Sequence, residues 1–595
     1  MGAFKNFLDS FKPETPGFGL EPQGPAVADK HTGQVVTDEK ASVGSGNGVN
    51  DYGSPEYANV QRVHMTPEGG AILTSDESGL KRNLTGRHMQ MIAFGGSIGT
   101  GLFIGSGGAL ANGGPGFLLI DFLLIGAMLF TVVMALGEMA TTFPVAGSFS
   151  AYSTRFIEPA WGFAMGWNYW AQWFVVLPLE LVAASIVLQY WDPTYSHVPA
   201  GVYIMIFMIA IIIINLFGVR GYGEWEFFAS SIKILAVLGF IILGAVITAG
   251  GAPDGRYRGA ETWHNPGAFA NGFQGFCSIF VTAAFAFAGT ELVGLAAAET
   301  SNPRKEVPKA CKQIFWRILV FYVVTLFLIG LIVPYTEERL TSGATSYDAR
   351  ASPFVIAIED AGIRGLPSVM NAVILISVLS VGNSAVFGAS RTLCGLAQSG
   401  QAPKVFRYID REGRPLPAVA VSLIFGALAF LVYAGDDANN TTFNWLLALS
   451  GLSSIFSWGS ICLAHIRFRS AWARAGHTLE ELPWTTPTGV YGSWFGFLFN
   501  ILVLIFQAVK AAWPISPSDT PGGRASDFFQ SYLAFPVVIV CYLVCKVVTK
   551  SRVVRIDEID LSTGRRDPVP VQVLRAEREE AAAQPFYIKV YKFLC

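Results

Sequence analysis

Twelve separate apolar runs, most of them close to the roughly 20 residues a helix needs to cross a bilayer core, restrict this chain more than any other feature. They lie at 91–110, 117–141, 163–190, 202–217, 227–249, 272–298, 318–333, 366–393, 419–433, 443–464, 489–509 and 532–548. Only 14% of the residues are charged against 52% hydrophobic, too little polar surface to clothe soluble domains over 595 residues. The expected fold class is an all-α polytopic membrane protein with twelve transmembrane helices. Residues 1–80, rich in Gly, Pro, Ser and charge, read as a disordered tail. A transporter domain is expected over 81–549 and a second tail over 550–595.

Loop charge sets the orientation. Lys81, Arg82 and Arg87 precede the first run, and Arg304, Lys305, Lys309 and Lys312 follow the sixth. Further basic groups follow the eighth and tenth, while the alternate loops are short, nearly uncharged or acidic. The positive-inside rule therefore puts both termini in the cytoplasm. Asn439 and Asn440 begin glycosylation triplets in an expected external loop. A formal net charge of −2 argues against nucleic-acid binding. The seven cysteines suggest neither a disulfide framework nor a metal site, and no cofactor is implied.

The first run contains seven glycines between Phe94 and Gly108. Each costs a helix roughly 1 kcal/mol relative to alanine, so they mark either close helix packing or an interrupted helix. The sixth run, with Gly289 and Gly294 around Glu291, carries the matching feature in the second half. Interrupted segments in corresponding positions of two halves point to a transporter of inverted repeats, here spans one to five and six to ten with two more at the end. Four ionisable groups lie inside the runs: Glu138, Glu180, Lys233 and Glu291. Such groups are functional suspects, because insertion at mid-membrane costs about 2.5–3.5 kcal/mol. Glu138 and Lys233 stand near enough to an end to reach water instead, and Glu180 could serve a structural hydrogen bond. Glu291, beside the expected break, is the strongest candidate for carrying a proton. Trp167, Tyr169, Trp170 and Trp173 read as packing and interface anchors rather than a binding cage. No catalytic constellation is present. The G-x-S-x-G at Gly95–Gly99 lies in an apolar run with no strand before it.

The stretch from Arg87 to Leu102 (RHMQMIAFGGSIGTGL) resembles the opening signature of the fungal amino-acid permeases, in the amino acid–polyamine–organocation superfamily. Similar blocks follow in order at 176–180, 217–223, 289–294, 302–305, 380–384, 443–451 and 465–469. Within that family the chain is similar to the broad-range, general amino-acid permeases. The resemblance implies a LeuT-like fold, a 5+5 inverted repeat plus two helices, and proton-coupled amino-acid uptake by alternating access across the plasma membrane. Narrower specificity, or amino-acid sensing with little transport, are the alternatives. It places the substrate at Ser97, Ile98, Gly99, Thr100 and Gly101 of the first run and Phe285, Ala286, Phe287, Ala288 and Gly289 of the sixth. The carboxylate would meet N–H groups near Thr100 and Gly101, and the ammonium would meet carbonyls near Ser97 and in 285–288. Phe285 would be an aromatic gate and Lys233 a lysine standing in for a sodium ion. It further implies ubiquitin-ligase machinery acting on the tails, where Lys5, Lys12, Lys30 and Lys40 are available, and acylation of Cys595.

Overall fold

In a computed structural model, residues 84–96, 98–145, 147–192, 198–341, 352–433, 438–517, 520–565 and 570–588 are described. The tail 1–80 with its lysines, Ser97 and Cys595 lie outside the described residues, as do the side chains of Asn439 and Asn440. Helices dominate, and among the described residues no strand forms beyond an isolated bridge between Leu84 and Thr300. The elements used below are α1 (Gly86–Gly95), α2 (Gly101–Thr142), α3 (Pro159–Leu188), α4 (Gly218–Thr248), α5 (Gly272–Phe287) and α6 (Leu292–Ala296). They continue as α7 (Pro303–Ile332), α8 (Leu366–Gln398), α9 (Ala438–Arg474), α10 (Gly489–Ala512), α11 (Pro521–Tyr532), α12 (Ala534–Thr549) and α13 (Val571–Ala583).

Eight described helices are long and apolar enough to cross a membrane, or nine if the α11–α12 pair, bent by 67°, is one span. Ala200–Leu216 and Leu416–Val432 are shorter apolar helices. This differs from twelve equal runs for a local reason. The part of the first run beyond the break and the whole of the second run form one continuous helical stretch, α2, with its kink at Gly114 (φ 75°, ψ 172°) followed by Pro115. Burial sorts the helices into layers. In the most apolar stretch of α3, 83% is buried, and 89% in Gly272–Glu299, against 28% in α4 and in α10. The broken pair and α3 are therefore central, while α4 and α10 turn apolar side chains such as Leu235, Ile242 and Ile505 outward. Outward apolar faces need a hydrocarbon solvent, and the chain is a multi-pass membrane protein.

Three helices start earlier or run later than the apolar pattern indicates. α4 begins at Gly218 rather than Phe227, α7 at Pro303 rather than Ile318, and α9 continues past Ala464 to Arg474. Charged residues end an apolar run in sequence, yet helix continues through them because their partners are inside the bundle. Glu226, Arg317 and His465 are each 0% exposed.

Both expected breaks are present. α1 stops at Gly95, and helical hydrogen bonding resumes with Leu102 and Phe103 N–H donating to Gly99 carbonyl at 3.1 and 3.0 Å. In the second half α5 ends at Phe287, Ala288 is extended (φ −57°, ψ 144°), and Gly289 takes φ +97° before α6. The ends beyond the breaks are tied together where Leu84 N–H donates to Glu299 carbonyl (3.2 Å) and Ser301 N–H to Leu84 carbonyl (3.3 Å). At the same end of the molecule lies α13. Arg575 donates to Glu480 at 2.6 Å, Arg578 to the Leu482 carbonyl at 2.9 Å, and Glu577 pairs with Arg304 at the start of α7.

Two glycines decide how closely the breaks meet. A Cβ on Gly101 would lie 2.4 Å from Ala286 Cα, and one on Gly289 would lie 3.1 Å from the Gly96 carbonyl oxygen. Only backbone fits at the first position, and the second also needs the left-handed region. Gly101→Val is expected to cost about 3 kcal/mol or more, the upper range for overpacking. Gly108→Ala, with no atom outside its own helix within 4 Å of the added methyl, is expected to cost nothing and to stabilise by up to about 1 kcal/mol. Melting temperatures and size-exclusion profiles in detergent compare the two.

Candidate functional site

The breaks and α3 enclose a small cavity of about 10 Å³, lined by Gly99, Thr100, Gly101, Phe285, Ala288 and Glu180. Trp173, Val176 and Val381 complete it. Trp173, Val176 and Glu180 follow helical i, i+3, i+7 spacing, so one face of α3 forms a wall. Trp173 was read as a packing anchor; it is buried (1% exposed), and it both packs edge-on against Tyr169 and borders the cavity. The i, i+7 relation to Glu180 was the signal that could have marked it.

The chemistry of this cavity follows from the broken backbone. The first N–H groups of a helix lack intrahelical partners, so those of Thr100 and Gly101 form an anion-accepting end. Thr100 hydroxyl donates to Glu180 Oε2. Glu180 Oε1 is buried and has no hydrogen-bond partner among the described residues. A carboxylate oxygen held this way is an acceptor for an ammonium group or a proton. On the other side, the Phe285 carbonyl accepts from Ala288 N–H at 3.1 Å. Ala286 and Phe287 are differently engaged. Tyr322 hydroxyl donates to the Ala286 carbonyl (2.8 Å), and Thr290 hydroxyl donates to that of Phe287 (2.6 Å). Ile98, Ala286, Phe287 and Gly289 shape the site from behind, without lining the cavity.

Behind the first break, Lys233 on α4 is 0% exposed and does not reach water. Its ammonium donates to Ser380 hydroxyl at 2.8 Å and lies 3.6 Å from Glu226 Oε1. Glu226 also accepts from Ser380 (2.6 Å) and Ser230 (2.9 Å). Glu226 escaped the sequence reading because it stands one residue before the apolar run that begins at Phe227.

Glu291 lies behind the second break. It accepts from Tyr169 hydroxyl (3.2 Å), Trp458 Nε1 (3.2 Å) and Gly289 N–H (3.3 Å). The preceding residue, Thr290, receives the guanidinium of Arg317, another group one position outside its predicted run. Glu138 is in neither group. It is 0% exposed, and it takes Arg469 at 3.1 Å, His465 Nε2 at 3.0 Å and Thr486 N–H at 2.7 Å, joining α2 to α9 and the loop before α10. Asp121 on α2 was also missed; both its oxygens are buried without hydrogen-bond partners among the described residues. Among the described residues no cluster of His, Cys, Asp or Glu could hold a metal.

A membrane-embedded bundle with a polar cavity between broken helices has the form of a solute carrier. The sequence profile described as amino acid permease matches residues 88–558. The general amino-acid permease GAP2 of Candida albicans is 55% identical, covering 88% of this chain and 88% of the relative. GAP1 of Saccharomyces cerevisiae is 48% identical, with 96% and 95% covered. Among solved structures, a mutant manganese transporter of Eremococcus coleocola aligns with 78% of this chain and 94% of its own, at 13% identity and TM-score 0.47. The chain belongs to the amino acid permease family: it is a permease and not an enzyme.

Glu226→Gln removes the carboxylate 3.6 Å from the Lys233 ammonium in the hydrocarbon. A loss of about 3–5 kcal/mol is expected, the range for breaking a buried pair. Adding Lys233→Met should recover most of it. A thermal double-mutant cycle in detergent reads the coupling.

Proposed function

We propose that this chain is a proton-coupled amino-acid symporter of broad specificity, working by alternating access in the plasma membrane with both termini cytoplasmic. The observation that carries this reading is the meeting of two broken helices at a cavity with the Thr100–Glu180 bond in its wall and the buried Lys233–Glu226 pair behind the first break. Breadth is supported by relatives named general amino-acid permeases and by the small residues Ala286 and Ala288 beside the site. The architecture proposed is LeuT-like, five helices and five in inverted repeat plus two. Dividing α2 at Gly114, joining the halves across each break, and counting the two shorter helices and the bent pair gives twelve crossings among the described residues.

In this mechanism the substrate carboxylate takes the N–H groups of Thr100 and Gly101, where the helix end favours negative charge. The ammonium takes the carbonyls of Phe285 and Ala288, with Glu180 Oε1 as the charged acceptor. Lys233 and Glu180 share the proton: a protonated Lys233 offsets Glu180 and leaves it ready for the ammonium. Glu291 ties the unwound part of the sixth span to α3 and α9, so rearrangement there moves with the substrate. Glu138 closes the end of α2 against α9. Phe285 covers the cavity as the gate. The cavity in its present form admits little more than one water-sized sphere, so loading requires one side to open.

Radiolabelled amino-acid uptake in permease-deficient cells should be faster at pH 5 than at pH 7 and should collapse with a protonophore. Uptake indifferent to both rejects proton coupling. Thr100→Phe should abolish uptake at unchanged surface abundance. Competition by neutral, acidic and basic amino acids against one labelled substrate measures the breadth.

A further inference from the structure

A second, larger polar chamber lies along the same broken helix. Gly101 borders the central cavity, and Gly105, one turn further, borders the chamber. A Cβ on Gly105 would sit 3.3 Å from the methyl of Thr282, which also lines the chamber, and Phe285 comes one turn after Thr282 on α5. The two spaces are therefore consecutive, with the 101–105 turn and Phe285 between them. The chamber holds about 370 Å³, within the range of about 300–1,000 Å³ typical of small-molecule pockets.

Among the described residues its walls carry one cation, Lys510 on α10, and one anion, Asp527 on α11, with amides from Asn112, Gln274, Asn444 and Gln530. Lys510 ammonium is 3.4 Å from the Ser278 carbonyl of α5. One turn before it, Gln507 donates to the Ser531 carbonyl at 2.7 Å, which fixes α10 against α11 and sets where the two charges stand. Charges lining a cleft with low-dielectric walls concentrate complementary ions there more strongly than open surface does. A cavity of this size with one group of each sign matches a zwitterion.

We propose that this chamber is an entry site for α-amino acids, holding the α-carboxylate at Lys510 and the ammonium on the Asp527 side before Phe285 admits the substrate to the central cavity. This rests on the amino-acid symporter reading above, and it adds a recognition step that involves α10 and α11.

The test is uptake kinetics of Lys510→Met beside wild type and Lys510→Arg, in intact cells, with surface abundance measured for each. Wild-type uptake by itself tests the symporter reading. For the entry site, Lys510→Met should raise KM about tenfold, the equivalent of 1.4 kcal/mol, at unchanged maximal rate, and Lys510→Arg should restore it. The substrate's carboxamide, which lacks the anion, should inhibit wild type and Lys510→Met with equal potency. Asp527→Asn, on the opposite helix, should also raise KM without changing the maximal rate. An unchanged KM in Lys510→Met overturns the proposal, and so does an equal loss of carboxamide potency, which would mean that Lys510 only supports the fold.

Discussion

Unpaired main chain is expensive inside a hydrocarbon layer, and this structure tolerates it in two places by setting them against each other. Where α1 stops and where α5 stops, N–H and carbonyl groups leave their helical ladders. They are shielded because Gly101 lies directly on the backbone of Ala286 and Gly289 lies on Gly96. Neither broken span could stand alone in lipid. The surrounding helices then follow: α3 covers the remaining side with Trp173 and Glu180, and α8 supplies Val381. The cavity is thus a product of how the breaks are hidden, and its polarity is that of the backbone they expose.

Three of the buried charged groups have distinct neighbours. Lys233 and Glu226 lie behind the first break with three hydroxyl-bearing residues, Ser230, Ser380 and Ser384. Glu291 lies behind the second, held by neutral donors, with Arg317 on the adjoining Thr290. Glu138 clamps the end of α2 through His465 and Arg469. The first two groups adjoin the pieces of backbone that are unwound. A change of charge there acts directly on the segments with the least hydrogen bonding to hold them. The third group acts on rigid helix and a loop.

Much of this was legible in the sequence, because glycine density and embedded charge are local signals. The breaks near Gly96–Gly99 and at Gly289 follow from them. Glu226 and Arg317 were hidden for one shared reason: each stands one residue before an apolar run, and a run in sequence ends where charge begins. Only tertiary pairing allows α4 and α7 to continue through them. Asp121 was inside a run and went unweighed. The separation of Ala286 and Phe287 from Phe285 and Ala288 depends on which carbonyls Tyr322 and Thr290 occupy. That is a long-range fact which residue order does not contain. The boundary between the first two spans was obscured in the opposite direction, since helical hydrogen bonding runs across the kink at Gly114.

The helix α13 has a mechanical meaning. Its charged side chains grip Glu480 and the Leu482 carbonyl on one side and Arg304 on the other, so it bridges the base of α7 to the connection between α9 and α10. These grips sit at the water-facing rim, where each ion pair contributes at most about 1 kcal/mol and fades with salt. The bridge is therefore a light brace: it sets the base of α7 against the α9–α10 connection through contacts that salt weakens.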